Sequence, residues 1–336
     1  MVNFSDLTRY KRFFPVIKYT IVLAIVVWVC WVLYKSWDQL SQHEWKFNVG
    51  WLVCAGFFYI LAFFPASLFW HLVLRKMGQK PNLFASLRAY YISQLGKYTP
   101  GKAMVVVMRA EIIRSENVRA SFAAAAVFFE TFAMMSVGAI IAVVIMLFCF
   151  HDHPQLHKYL LLNFVMLAFS VLPTIPSVFR FVAKKLGVGK GDPELDEKLN
   201  RLNFKTVLFG WCLMSLCWVF FGLSLCSSIN GISLEVGPIT GFPKYVAISA
   251  MSVVLGFVLM TPGGLGAREW VLITFLSPLI LANITGTGET EGVSQADLIL
   301  KAEGLAVAVA GVQRVVSIIA ELVVGAALAG FGEKKV

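Results

Sequence analysis

The sequence predicts an all-α polytopic membrane protein: about six full transmembrane helices plus two broken, re-entrant helical hairpins, arranged as an inverted repeat. Three observations carry this. Hydrophobic residues make up 58% of the 336-residue chain and charged residues only 14%, where a soluble chain carries about a quarter. The apolar residues fall in runs long enough to cross a bilayer, which takes about 20 residues of helix. Two further apolar regions are each interrupted near the middle by the same tripeptide, at Thr99-Pro100-Gly101 and at Thr261-Pro262-Gly263.

Full spans are expected near 16–36, 49–74, 122–150, 158–181, 205–229 and 304–330. No small-residue cleavage site follows the first apolar run, so it is expected to remain as a span and not to be removed as a signal. The broken regions are 84–108 and 244–283, and the total becomes eight spans if the second is two short full helices. The chain 1–336 reads as one integral membrane domain. Its main soluble segment, "GVGKGDPELDEKLNRLN" within a loop at 182–204, is too short for a catalytic domain, which needs at least about 50 residues.

Lysine and arginine accumulate on the cytoplasmic side of membrane proteins, so counting them orients the spans. The stretch 1–18 has four, 75–119 has nine and 180–205 has seven, whereas 35–48 has two, 151–158 has one and 284–300 has none. This places 1–18, 75–119, 180–205 and the Lys334-Lys335 tail inside, with both termini cytoplasmic in the cell membrane. The segments 35–48, 151–158, 230–243 and 284–300 lie outside. Both flanks of the first break are then cytoplasmic and both flanks of the second external. Two such breaks approaching from opposite sides are the pattern of an inverted repeat, whose unwound segments meet at a substrate site. Two passes through 244–260 and 268–283 satisfy the same charge count.

The chemistry of each break follows from its backbone. Proline lacks an N–H and pushes its predecessor out of helical geometry, while glycine accepts the positive φ at which a chain turns and restarts. Non-helical backbone at membrane depth is tolerated only beside protein or a water-filled cavity. A helix restarting after "TPGK" or "TPGGLG" offers N–H groups and a positive dipole end, which favour an anion. Lys97, Lys102 and Arg109 add positive charge around the first break, and Arg268 adds it beside the second. A cation in a helix's first turn opposes the dipole, so Arg268 calls for a compensating negative group: Glu269, a distant carboxylate or a bound anion. The plainer alternative is a pair of kinks with Lys97 and Lys102 snorkelling to head groups; two matched breaks of opposite orientation favour a site.

Glu130 in "AAVFFETFAMM" and Arg314 and Glu321 in "GVQRVVSIIAELVVG" lie several residues from any span end. Ionisable groups at such depth face the bundle interior and are functional candidates. A structural ion pair of Glu130 with Arg314 or Arg268 is the alternative. Arg314 and Glu321 share a helical face but stand about 10 Å apart along the axis, so each needs a partner elsewhere. The small residues Ala123 to Ala126, Gly304, Gly311, Gly325 and Gly330 are expected at close helix contacts.

No metal or cofactor is expected. The six cysteines lie in apolar runs without ligand spacing and read as packing residues. The loop "HDHPQLH", with His151, His153 and His157, is a weak metal pattern. The Walker loop, HExxH and GxSxG are missing from the sequence, which leaves ATP-driven transport by this chain and the familiar hydrolase sites unsupported. The net charge of +10 fits basic cytoplasmic connections touching anionic lipid and does not argue for nucleic acid.

Four stretches, "SQLGKYTPGKAMVVVMRAE", "FFETF", "TPGGLGAREWVL" and "QRVVSIIAELVVG", together resemble the lysylphosphatidylglycerol synthase transmembrane family. That family includes the flippase portion of the bacterial multiple-peptide-resistance factors, and the resemblance runs from about 50 to 330. It implies a membrane-integral fold that moves anionic or aminoacylated phospholipids, or polyprenyl-linked lipids, between leaflets. Carried over by residue, it assigns Lys97, Pro100, Gly101 and Arg109 to the first segment and Glu130 to the acidic position. Pro262, Gly263, Gly264, Gly266, Arg268 and Glu269 match the second segment, and Arg314 the late arginine. The sequence departs from the family after the first Pro-Gly, where glycines and a more polar approach to the arginine are the pattern. The soluble aminoacyl-transferase domain of the synthases has no counterpart in the sequence, so the chain is expected to be a transporter and not an enzyme, served by a separate lipid-synthesising enzyme. Arg109, Arg268 and Arg314 would hold a phosphate while Glu130 and Glu269 balance charge. The rival from another class is a membrane-embedded transferase acting on a lipid head group, with Glu130 or Glu269 as general base. A third is a scaffold.

Overall fold

The computed structural model describes residues 34, 45–98, 103–115, 117–149, 156–185, 193–232, 241–259, 261–286 and 294–330. Among them the regular structure is entirely helical. The helices are α1 (Val49–Lys76), α2 (Leu83–Ser93), α3 (Ala103–Ile113), α4 (Ala120–Cys149), α5 (Leu156–Val171), α6 (Pro176–Lys185), α7 (Pro193–Leu199), α8 (Phe204–Gly231), α9 (Phe242–Val258), α10 (Ala267–Gly286) and α11 (Gln295–Gly330). Short 3₁₀ turns follow α2 (Gln94–Tyr98), follow α5 (Leu172–Thr174) and precede α10 (Pro262–Gly264). By length and composition α1, α4, α8, α10 and α11 can each cross a membrane, while α9, at 17 residues, is shorter.

Asparagines start several helices. Asn48, Asn82 and Asn203 accept from the backbone N–H groups of Trp51, Phe84 and Thr206, satisfying donors that a helix start leaves open. α11 begins at Gln295, upstream of the residue 304 expected, because Ser294 and Asp297 form a reciprocal cap: the Asp297 N–H donates to Ser294 Oγ at 3.2 Å, and that hydroxyl donates to Asp297 Oδ2 at 2.7 Å. The span expected at 158–181 is instead two helices, α5 and α6. Pro173 and Pro176 each remove a backbone donor and restrict the preceding residue, so the chain breaks at Leu172–Thr174 and restarts with Pro176 as the first residue of α6. The 182–204 loop contains a helix, α7. The span near 16–36 lies outside the described residues apart from Tyr34, as does the break itself at Thr99-Pro100-Gly101 with Lys102.

Helices in lipid associate through close packing and hydrogen bonds, which rewards small residues at contacts. α1 and α8 run antiparallel, tied by Asn48 N–H to Gly231 O at 2.9 Å and Ser224 Oγ to Ala55 O at 2.8 Å. On α4, Gly138 leaves room for Trp218: a Cβ there would fall 2.5 Å from the ring, whose Nε1 donates to Met134 O at 3.1 Å. Ala123, Ala125, Ala126, Gly304 and Gly325 are buried as expected. Among the described residues nothing lies within 4 Å of a Cβ built on Gly311 or Gly330. Cys54, Cys149, Cys212, Cys217 and Cys226 are free thiols, of which only Cys217 is buried.

The segments grouped by charge do share ends of the bundle. At one end Arg119 N–H donates to Gln79 Oε1, its guanidinium pairs with Glu194 of α7, and Arg88 donates to Leu328 O near the end of α11. The start of α1 and the end of α8 meet at the other.

Each broken region folds back on itself as a helical hairpin. α2 packs along α3, and Gly96 sits so close to Val105 that a Cβ would come within 2.8 Å of its backbone nitrogen. α9 packs along α10, with Gly256 against Gly264.

Candidate functional site

The 3₁₀ turn that leads into the first break meets the second break, and α11 contacts both. Tyr98, the residue before the first Thr-Pro-Gly, faces Gly263 of the second: a Cβ on Gly263 would lie 3.0 Å from Tyr98 Cδ1 and 3.1 Å from Arg314 Nη2. The second break turns through positive φ at Gly263 (57°), Gly264 (76°) and Gly266 (80°), a region where a side chain is strained and glycine is not. Gly264 also makes space for Arg268, whose Cδ would be 2.6 Å from a Cβ at that position. The pattern of three glycines is thus the means by which an arginine stem and a tyrosine ring reach the turn.

Charge is concentrated at this junction. Lys97, two residues before the first break, pairs with Glu321 of α11. The Glu321 carboxylate accepts from Tyr59 Oη of α1 at 2.5 Å and from Tyr98 Oη at 3.0 Å. Lys97 Nζ also donates to Tyr59 Oη at 3.0 Å and lies 5.6, 5.7 and 5.2 Å from the ring centres of Tyr59, Phe63 and Tyr98. Rings at that range attract a cation. One turn-pair earlier on α11, Arg314 Nη1 donates to Gly263 O at 2.8 Å and stands 3.8 Å from Glu269 Oε1. Its guanidinium is 5.9 Å from the Tyr98 ring, so Tyr98 spans the gap that keeps Arg314 and Glu321 from pairing directly.

Glu269 compensates the start of α10: its Oε2 accepts the Gly266 N–H at 2.7 Å. It therefore serves the helix end and Arg314. No described carboxylate lies within ion-pair distance of Arg268, which instead sits within electrostatic reach of the Tyr59 hydroxyl. Among the described residues, Lys97, Arg268 and Arg314 stand against Glu269 and Glu321, an excess of one positive charge. At the head of the same break the Thr261 hydroxyl is buried with no hydrogen-bond partner among the described residues. A buried hydroxyl without a partner is costly to hold unless something supplies one, and Arg268, half-buried, has the Tyr59 hydroxyl beside it but no described counter-charge.

Arg109 and Glu130 form a separate, closed set. Arg109 Nη1 pairs with Glu130 Oε2 at 2.9 Å, each side chain only 2% exposed. Arg109 Nε donates to Ser93 Oγ at 2.9 Å, and its guanidinium lies 3.8 Å from the Tyr90 ring centre and 5.5 Å from that of Trp70. Tyr90 Oη donates to Glu130 Oε1 at 2.9 Å. Glu130 thus has a structural partner, but it is Arg109 rather than the Arg314 or Arg268 expected. The set staples the α2–α3 hairpin to α4, and Phe63 and Tyr90 separate it from the junction, their centres 6.3 Å apart.

Of the residues expected at the site, Lys97, Gly263, Gly264, Gly266, Arg268, Glu269 and Arg314 converge on the junction. Pro262 lies within the second turn, and Pro100, Gly101 and Lys102 are outside the described residues. Tyr59, Tyr98 and Thr261 were not anticipated: Tyr98 and Thr261 were legible as neighbours of the breaks, whereas Tyr59, inside "FFYILAFF", carries no local signal. No cluster of potential metal ligands occurs among the described residues, and His151 and His153 lie outside them.

Among the described residues, eleven helices, five of them of spanning length and composition, define a polytopic membrane protein. The chain belongs to the family of the lysylphosphatidylglycerol synthase TM region, whose family model matches residues 16–325, nearly the whole length. Membership links it to lipid modification or transport. Comparison with the curated proteins finds no match.

Proposed function

We propose that the protein moves an anionic or aminoacylated phospholipid, or a polyprenyl-linked lipid, between the leaflets of the cell membrane, acting as a transporter and not as an enzyme. The observation that carries this is the meeting of the first hairpin's 3₁₀ turn with the second break, at a cluster whose described residues carry one unbalanced positive charge. The lipid phosphate supplies the missing anion: Arg268 and Lys97 contact it, the Thr261 hydroxyl donates to it, and Arg314 and Glu269 hold the second turn in place. Arg109 and Glu130 keep the first hairpin seated on α4. Both hairpins are re-entrant in this reading, with the termini cytoplasmic, and a separate enzyme makes the lipid.

Unwound backbone beside paired and unpaired charge is the arrangement transporters place at their substrate sites. The test is leaflet-resolved movement of labelled phosphatidylglycerol, its lysyl form and a short polyprenyl phosphate in liposomes with and without the purified protein, followed by mass spectrometry of the recovered lipid. Accelerated movement of chemically unchanged lipid is expected. A head group altered in the presence of a donor would overturn transport in favour of the transferase.

A further inference from the structure

We infer that lipid movement is coupled to protons, with Glu321 as the proton-binding group. The inference rests on the transport reading above and concerns the energy source of that same site.

Glu321 is 3% exposed and sits in α11, nine residues before that helix ends at Gly330. The groups facing it are few. From α1 comes Tyr59; from the 3₁₀ turn come Lys97 and Tyr98; from α10, Arg268 reaches it through the Tyr59 hydroxyl; and on its own helix Arg314 reaches it only through Tyr98. Further along the α11 interface, α2 contributes Arg88 to Leu328 O, and α8 contributes the neutral Ser224 and Ser228 hydroxyls to Gln313. Glu269 is already engaged with Gly266 and Arg314. Among the described residues, Lys97 is the one cation in direct contact with Glu321, and it neutralises it.

That cation is a point charge on a flexible stem, three residues before a Pro-Gly in the sequence. When the ammonium turns to phosphate, Glu321 is left buried without its partner. Leaving such a charge buried and unpaired is strongly disfavoured, and binding a proton removes it. A proton from water on the open side then forms an O–H bond at Glu321, and the two tyrosine hydroxyls, which donate to the carboxylate, can accept from the acid. On the other side the phosphate leaves, Lys97 returns, the O–H bond breaks and the proton passes to water. Empty, the junction carries one net positive charge; with a monoanionic phosphodiester and a proton bound it carries the same. The rearrangement consequently moves no additional charge through a low dielectric.

Glu130 does not offer this. Its partner is an arginine that cannot deprotonate and that Ser93, Tyr90 and Trp70 hold in place.

The experiment uses phosphatidylcholine vesicles containing the protein, a trace of labelled phosphatidylglycerol, a pH-sensitive dye in the lumen and an imposed pH difference. One proton per lipid anion sets a leaflet ratio of about tenfold per pH unit. The wild type is expected to approach that ratio, with a dye signal that tracks lipid movement. Glu321→Gln, which keeps hydrogen bonds to both tyrosines, is expected to move lipid to an even distribution only. Wild-type movement indifferent to the pH difference, or a Glu321→Gln variant that still builds the asymmetry, would overturn proton coupling while leaving transport intact. No movement of lipid by folded wild type would overturn transport and coupling together. The dye signal from the wild type decides the matter even where the variant does not fold.

Discussion

Arg109–Glu130 and Lys97–Glu321 are both buried carboxylate–cation pairs fastening the same hairpin, yet they are built on different plans. The first uses a planar guanidinium with a hydroxyl, a carboxylate and an aromatic face all fixed around it, and both side chains are 2% exposed. The second uses a lysine that is 17% exposed, placed beside a break and sharing its carboxylate with two phenols. Both pairs cost desolvation. Arginine in a rigid setting gives a permanent staple, whereas lysine in a short 3₁₀ turn gives a latch that a competing anion can open.

The largest expected effect is on the staple. Arg109→Ala leaves Glu130 buried without a counter-charge, and the loss is expected to be about 3–5 kcal/mol, read as reduced unfolding stability in detergent. A variant with unchanged stability and lost transport would place Arg109 in the lipid path and dissolve the contrast. Next comes Arg268→Ala, for which normal folding and a transport rate lowered about ten- to a hundredfold are expected, from losing a charge-assisted phosphate contact worth about 1.5–3 kcal/mol. An equally large drop in stability would mean that Arg268 is structural.

Gly263→Ala sharpens the comparison from the other hairpin. Its φ of 57° and the proximity of Tyr98 and Arg314 are expected to cost about 1–2 kcal/mol from backbone strain alone, with slower transport as Tyr98 is displaced; an unfolding midpoint equal to wild type would show that the turn is not held as described. The smallest effect belongs to Arg114→Ala. Its exposed pair with Glu111 is worth at most about 0.5 kcal/mol, so both stability and transport should be indistinguishable from wild type.

Four of the expected spans and the second break were legible in the sequence because they depend on local chemistry: run length, proline and glycine. Helix starts were less so, as at α11, where Ser294 and Asp297 cap a helix that composition alone begins later. The 158–181 run shows the limit of hydropathy, which counts apolar residues and is blind to the two prolines that split α5 from α6. At the site, the charges were legible by their rarity in apolar runs, but their pairing was not. Glu130 could equally have met three arginines, and the choice of Arg109 follows from how α2, α3 and α4 pack. Tyr59 lay hidden because a phenol in an aromatic run looks like any packing residue until a carboxylate from a helix 262 positions away reaches it.

The most direct test of the staple-and-latch contrast replaces both members of each pair. Replacing a buried pair by apolar groups of similar size is often neutral for stability, so Arg109→Met with Glu130→Leu is expected to fold and to move labelled phosphatidylglycerol in liposomes at close to the wild-type rate. Lys97→Met with Glu321→Gln is expected to fold and to lose that movement. Lipid moved at the wild-type rate by the second double variant, or lost only in the first, would contradict the assignment of the lipid path to the junction of the two breaks.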